Sequence, residues 1–153
     1  MNIRNAQPAD LDSIVRINNQ HTQWLGEKDQ EFFEKYCSMI ILAEETQVQG
    51  FILLMNQDTP YNSLHFQWFR QRYNKFSYVD RIAVDQEARG RGIGTELYQF
   101  VREVAPLTPV FCEIAAENQD SRRFHTKIGF RKVGKHILHE QLYHMYGYGK
   151  HAV

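Results

Sequence analysis

Apolar and polar positions along the chain alternate in short runs separated by turns, and the period of each run predicts its element. Asn2 to Asn5 reads as a short first strand. Pro8 near a helix start and Asp10 in its first turn suit a helix whose buried face is Leu11, Ile14, Val15 and Ile17. Asp29 to Tyr36 reads as a second helix packing Phe32, Phe33 and Tyr36. Met39 to Ala43 and Val48 to Met55 are apolar runs around Glu44-Glu45-Thr46-Gln47, the pattern of a hairpin. Tyr78 to Val84 alternates as a strand, and Leu97, Phe100, Val101 and Val104 mark the helix that follows. Pro109 to Ile114 is the next strand. A helix capped by Asn118 or Asp120 then runs to Lys127 and stops at Gly129. Phe130 to Ile137 and Leu142 to Tyr148 close the chain as a strand pair turning at His139-Glu140. The order is β-α-α-β-β-β-α-β-α-β-β, a mixed α/β domain with no repeat and no internal boundary over residues 1–153.

Residues 56 to 75 break this pattern. A turn at Asn56-Gln57-Asp58-Thr59-Pro60 leads into His65, Phe66, Trp68, Phe69 and Tyr73, interleaved with Arg70, Arg72 and Lys75. A connection this long between strands often carries function, so a lid or one wall of a substrate pocket is expected. A short packed helix with aromatic anchors is the competing expectation. Interleaved bases and aromatics can also contact nucleic acid, but 18 basic and 18 acidic side chains cancel to a formal charge of +0 and argue against a polyanion surface. No apolar stretch approaches the roughly 20 residues of a membrane span, and the N-terminus lacks a signal-peptide pattern. Cys37 and Cys112 are too few for a disulfide framework and read as buried bystanders in a cytoplasmic protein.

The densest chemical signal is Arg89-Gly90-Arg91-Gly92-Ile93-Gly94-Thr95, which joins a strand to a helix. Glycines let the backbone approach a ligand closely, and the first N–H groups of the helix have no partner within it. Such a turn suits an anion, and Arg89 and Arg91 add charge beside it. No Lys-Ser or Lys-Thr pair follows, so this is not a P-loop; the G-x-G-x-G spacing is also wrong for a dinucleotide fingerprint. Tight helix–sheet packing alone is the other reading.

Together with a second segment, Asn118-Gln119-Asp120-Ser121-Arg122-Arg123-Phe124-His125-Thr126-Lys127-Ile128-Gly129-Phe130, the loop resembles the GNAT superfamily of acyl-CoA-dependent N-acyltransferases. The resemblance implies a mixed, mostly antiparallel central sheet flanked by helices, with the fourth and fifth strands splayed apart. It implies acetyl-CoA, or another short acyl-CoA, as co-substrate. Arg91, Gly92, Ile93 and Gly94 would hold the pyrophosphate, within a loop bounded by Arg89, Gly90 and Thr95. Main-chain groups near Ile82 and Val84 would pair with the pantetheine arm like an added strand, and Asn118 would bind the same arm. The reaction implied is direct attack of a primary amine on the thioester in a ternary complex. A non-catalytic acyl-CoA-binding module is the rival class.

Aminolysis of a thioester needs a proton acceptor for the amine and support for the developing oxyanion, and no metal. Glu113 is the leading base candidate, because a carboxylate within Val110-Phe111-Cys112-Glu113-Ile114 is costly unless it faces a cleft or a partner. Its spacing to Asn118 resembles the Glu-Val-x-x-x-Asn arrangement of ribosomal-protein N-terminal acetyltransferases, whose glutamate is the base. A solvated acid or an ion pair would explain it as well. Asp80 is the second candidate, with a structural pair to Arg81 as its alternative. His125 stands where many family members place a tyrosine that protonates the CoA thiolate, so an acid role or simple packing are both open. The acceptor, a small-molecule amine or a peptide N-terminus, is expected against Trp24 and Glu27, the segment containing Tyr61, His65, Phe66, Trp68, Phe69 and Tyr73, and the terminal strands with His144, Tyr146 and Tyr148. Neither nucleic acid nor membrane is an expected partner; a homodimer is possible.

Overall fold

A computed structural model describes residues Met1–Gly149 and shows seven strands in one sheet, in the order β1-β2-β3-β4-β5-β7-β6. The chain divides into two compact units, Met1–Leu54 with Arg81–Pro106, and Met55–Asp80 with the described residues from Leu107 onward. Strand β4 (Ser77–Val84) passes from the second unit to the first between Asp80 and Arg81.

In the first unit β1 (Asn2–Asn5), β2 (Ile40–Glu44) and β3 (Val48–Asn56) pair antiparallel in sequence order. Pro8 opens a 3-10 turn that leads into α1 (Leu11–Asn18). After a single-turn helix, α2 (Thr22–Leu25), Asp29 caps α3 (Gln30–Lys35) by accepting the Phe32 N–H at 3.0 Å. Phe33 then meets Phe51 edge-on at 5.6 Å. The connection from α1 to α3 is fastened to β4 by Arg81, which is only 7% exposed. Its guanidinium donates to Asn18 Oδ1 at 3.0 Å and the Leu25 carbonyl at 3.1 Å, and lies over the Phe32 ring at 4.9 Å. A buried cation is tolerated there because its donors are satisfied and an aromatic face covers it. Helix α5 (Ile93–Val104) buries Ile93, Leu97, Tyr98 and Val101. Its inner stripe is thus set one position away from the Phe100 and Val104 side anticipated from periodicity, and Val104 is exposed.

The second unit is built on β5 (Val110–Ala115), which pairs parallel with β4 through Ser77–Val110 and Tyr78–Phe111. Among the described residues this parallel ladder ends there. On its other edge β5 pairs antiparallel with β7 (Gln141–Tyr148), and β7 with β6 (Arg131–Leu138). The β6–β7 turn places His139 and Glu140 at φ 50° and 65°, the two positive values that a two-residue hairpin of matching twist requires. Helix α6 (Gln119–Lys127) follows β5 and is capped by Asn118, whose side chain accepts the Ser121 N–H at 3.3 Å.

Residues 56 to 75 contain α4 (Leu64–Arg70), a packed helix. Phe69 stacks on Phe111 at 4.9 Å, and Phe66 tilts against Tyr78 at 5.1 Å. The Trp68 indole lies over Gly134 of β6, with the Arg72 guanidinium 3.9 Å from its ring centre. Phe66, Trp68 and Phe69 are all buried. Their rings serve the core, so the aromatic wall expected against an acceptor is internal, and apolar burial of roughly 1.5–3 kcal/mol per ring explains why.

Gly134 is required by sterics. A Cβ there would stand 2.6 Å from two indole carbons of Trp68. Gly134→Ala is therefore expected to destabilise the fold by about 1–3 kcal/mol, read as a lower urea midpoint. Gly134→Ala combined with Trp68→Phe should recover part of the loss.

Candidate active site

The glycine loop lies wholly in the first unit. Asp85, 4% exposed, ends β4 by accepting the Glu87 N–H at 3.0 Å and Arg16 Nη1 at 3.1 Å. The Glu87 amide, with help from Arg16, lowers its pKa. A 3-10 turn, Gln86–Ala88, follows, and then Gly90 and Gly92 adopt φ of 78° and 77°. Gly92 is the N-cap of α5, and its carbonyl accepts the Glu96 N–H at 3.0 Å. A Cβ on Gly90 or Gly92 would meet nothing within 4 Å. The left-handed backbone, and not crowding by the protein, is what calls for glycine. The amides of Ile93, Gly94 and Thr95 form the open first turn, with Arg89 and Arg91 exposed beside them. These groups fit a diphosphate. On the preceding strand Ile82 and Val84 are half-buried, and the Val84 carbonyl accepts His21 Nε2–H at 2.8 Å.

A second polar constellation occupies the α4-covered face of the second unit. Tyr78 and Asp80 share one face of β4, and Phe111 and Glu113 share one face of β5. The Tyr78–Phe111 register makes these the same face. On β7, Tyr143 and Met145 join it as the partners of Ala115 and Glu113. The fully buried Tyr78 donates its hydroxyl to Glu113 Oε1 at 2.6 Å. Desolvation first, then the Glu113 charge, pushes the Tyr78 pKa well above its ordinary value, so it is a fixed donor. Tyr61 donates to Asp80 Oδ1 at 2.7 Å. The His65 ring tilts over Tyr143 at 4.3 Å and meets His136 edge-on at 5.4 Å.

Both base candidates from the sequence, Glu113 and Asp80, therefore lie on one face, each held by a tyrosine. Tyr78 and Tyr143 carried no chemical signal as residues within strands. The period-two offsets Tyr78–Asp80 and Phe111–Glu113 were the available clue. Arg81, the neighbour of Asp80, belongs to the opposite face and reaches Asn18 and Leu25. His125 is 3% exposed, and its Nδ1–H donates to the Ser121 carbonyl at 2.8 Å. Burial lowers its pKa to about 4, which leaves a neutral ring at physiological pH in place of a charged donor. Asn118 spends its carbonyl oxygen on the α6 cap. Trp24 is 39% exposed and Glu27 is exposed, both on the connection before α3. Among the described residues no group of three or more His, Cys, Asp or Glu is placed to hold a metal ion. Nor is any helix among them long and apolar enough to cross a membrane.

Residues 7–130 match the acetyltransferase (GNAT) family, and the chain belongs to it. It is 29% identical, over 98% of its length and 88% of the relative's, to an N-alpha-acetyltransferase of Sulfurisphaera tokodaii. Its fold resembles that of a ribosomal-protein-alanine N-acetyltransferase from Brucella melitensis, with TM-score 0.73, 23% identity and coverage of 96% of this chain and 98% of that one. It also resembles Chaetomium thermophilum Naa20 in complex with a bisubstrate analogue, with TM-score 0.75, 16% identity and coverage of 97% and 86%. The protein is an N-acetyltransferase that moves an acyl group from acyl-CoA to an amine. The binding-module alternative gives way to the enzyme.

Two desolvated imidazoles, one half-buried and one buried, set a pH dependence. His65 and His125 both have pKa values lowered to about 4 by desolvation, against 6.5 when unfolded. Below 6.5 protons bind the unfolded chain preferentially, so stability present above that pH is lost progressively down to about 4. Asp10 and Asp85, with lowered pKa values, add their loss only as pH falls below their ordinary 3.8. Urea midpoints are expected to be flat above neutrality and to fall between pH 6.5 and 4, with a shallower fall for His125→Gln.

Proposed function

We propose that the enzyme acetylates the α-amine of a peptide or protein N-terminus with acetyl-CoA, by direct attack within a ternary complex and without a metal. The observation that carries this reading is the Tyr78–Glu113 hydrogen bond, which fixes a carboxylate on the covered face of the sheet. The 29% identity to an N-alpha-acetyltransferase across nearly the whole chain supports the acceptor class.

In this reading the amides of Arg91, Gly92, Ile93 and Gly94 bind the diphosphate of the co-substrate, flanked by Arg89, Gly90 and Thr95. Backbone groups at Ile82 and Val84, with Asn118, take the pantetheine arm. The acceptor arrives as an ammonium with a pKa near 8 for an α-amine, so one proton must leave before the nitrogen can attack. Glu113 takes that proton, directly or through one water, and Tyr78 keeps the carboxylate aimed while remaining protonated itself. The thiol of CoA is an acceptable leaving group, so a neutral His125 need not supply a proton. Trp24 and Glu27 contact the acceptor; Phe66, Trp68 and Phe69 support the site from the core.

Thiol release with a panel of peptides, and mass spectrometry locating the acetyl group on the α-nitrogen, tests the reading. Glu113→Gln is expected to lower turnover about 10²–10⁴-fold with acetyl-CoA affinity retained. Tyr78→Phe should cost roughly tenfold or more, the worth of a hydrogen bond to a charged group. Undiminished turnover in Glu113→Gln would remove the base from this residue.

The loop is tested separately. Gly92→Asn keeps a residue that tolerates the left-handed region but places a side chain toward the bound diphosphate. Calorimetry is expected to show acetyl-CoA binding weakened about tenfold or more with the urea midpoint nearly unchanged. Unchanged affinity would mean that the turn only serves packing.

A further inference from the structure

The face that carries Glu113 continues across the β5–β7–β6 ladder to a cation that the proposed proton transfer leaves unused. Glu113 pairs with Met145, and His136 pairs with Tyr143 two residues away on β7, so Glu113, Tyr143 and His136 share one face of the sheet. Two strand spacings and a two-residue offset put the Cα atoms of Glu113 and His136 about 12 Å apart. Tyr143 stands between them. Desolvation first, then the Glu113 charge, raises its pKa, and its ring lies against His65 at 4.3 Å. His65 in turn meets His136 edge-on at 5.4 Å.

Arg72 closes this line. Its guanidinium lies 3.9 Å from the centre of the Trp68 ring, and that indole lies over Gly134, two residues before His136 on β6. Desolvation first, then the Arg72 charge, lowers the His136 pKa, which places the cation beside that imidazole. Arg72 Nη1 also donates to the Trp68 carbonyl at 2.9 Å. Stack and hydrogen bond together fix the guanidinium, and among the described residues it pairs with no carboxylate. Arg72 is exposed, so its remaining N–H groups are open to a ligand. Beside it, His136 Nε2 and His65 Nδ1 are both buried without a hydrogen-bond partner. Buried polar atoms are nearly always paired, so two on neighbouring rings mark a place for a polar ligand group. Imidazoles alone would suit a metal ion, but a guanidinium beside them repels a cation and favours a carboxylate.

We propose that Arg72, with His136 beside it, binds a carboxylate on the acceptor and so selects peptides with aspartate or glutamate at the third or fourth residue. An extended peptide covers roughly 3.3–3.6 Å per residue, so a chain whose α-amine lies at Glu113 reaches His136 at those positions. The inference rests on the reading of Glu113 as proton acceptor for the α-amine. Arg72 is a specificity residue and takes no part in the proton transfer.

The test compares peptides carrying glutamate, glutamine or lysine at the third residue, with the same series at the fourth. 6-Aminohexanoate and hexylamine are the non-peptide arms. In at least one series, wild-type kcat/KM is expected to be about tenfold or more higher for glutamate than for glutamine, the worth of a hydrogen bond between charged groups, and lowest for lysine. That ratio should fall with added salt. It should shrink toward one in Arg72→Gln, persist in part in Arg72→Lys, and turn in favour of lysine in Arg72→Glu. Because Arg72 also stacks on Trp68, urea midpoints accompany each variant, and a second readout needs no variant. The His136 imidazole resonance of the CoA-loaded wild type should titrate at higher pH with the glutamate peptide bound than with the glutamine peptide. Equal rates for glutamate and glutamine in both series, a ratio unmoved in folded Arg72→Gln, or an unmoved His136 titration would overturn the inference. 6-Aminohexanoate favoured over hexylamine in the same Arg72-dependent way, at rates above the peptides, would keep the carboxylate preference and assign it to a small molecule. Peptide affinities for the CoA-loaded protein separate the two readings. Glutamate-selective binding with no acetylation would sink the proposed α-amine chemistry and leave the Arg72 assignment standing; acetylation without selectivity would do the reverse.

Discussion

A carboxylate on the covered face of a sheet persists only if a donor is fixed beside it, and the Tyr78–Glu113 contact meets that need at 2.6 Å. Its requirements spread outward. Tyr78 must be buried to act as a permanent donor, and Phe66 and Phe69 of α4 bury it at 5.1 and 5.8 Å. Those rings hold their places because α4 is keyed onto β6 by Trp68 over Gly134. The register Tyr78–Phe111 brings both groups to one face, and the antiparallel pairing of β5 with β7 sets Met145 and Tyr143 beside them. An aromatic layer with the composition of ordinary packing is thus the support of a single hydrogen bond.

The glycine turn obeys a different constraint. The role proposed for it needs amides that point outward from a helix end, and the positive φ values at Gly90 and Gly92 turn the chain there. Asp85 secures the approach by holding Glu87 and Arg16, which leaves the turn itself little freedom even where it makes no side-chain contact. Backbone geometry does the work here, so the surrounding side chains are free to be exposed. At Glu113 the side chain does the work, and its surroundings are buried and aromatic. Under the proposed function the difference follows from what each would meet: a diphosphate can be met by peptide N–H groups, whereas a proton needs a titratable acceptor.

Periodicity made the seven strands legible because strands such as Ser77–Val84 alternate cleanly and the turns between them carry Gly, Asn or charged residues. The loop was legible for a similar reason, since glycine is the residue that most readily adopts the left-handed backbone at positions 90 and 92. The segment of residues 56–75 was not, because an aromatic helix seven residues long has the same composition whether it lines a pocket or fills a core. What settles it is Phe111 on β5 and Gly134 on β6, tens of residues away in sequence. Tyr78 was hidden for the same reason. A strand tyrosine looks like packing until the register reveals that its hydroxyl ends at a carboxylate. His125 shows the converse, a residue whose motif position suggested chemistry and whose burial lowers its pKa, although its bond to the Ser121 carbonyl works the other way.

The donor beside Glu113 gives this face its direction. Tyr78 is fully buried, and desolvation with the nearby Glu113 charge pushes its pKa well above the ordinary value, so the phenol keeps its proton and can only donate. The carboxylate oxygen it meets is therefore always the acceptor of that bond, and one orientation of Glu113 is favoured over the others. Under the proposed function, a base held in one orientation is what a proton transfer over hydrogen-bond distance requires.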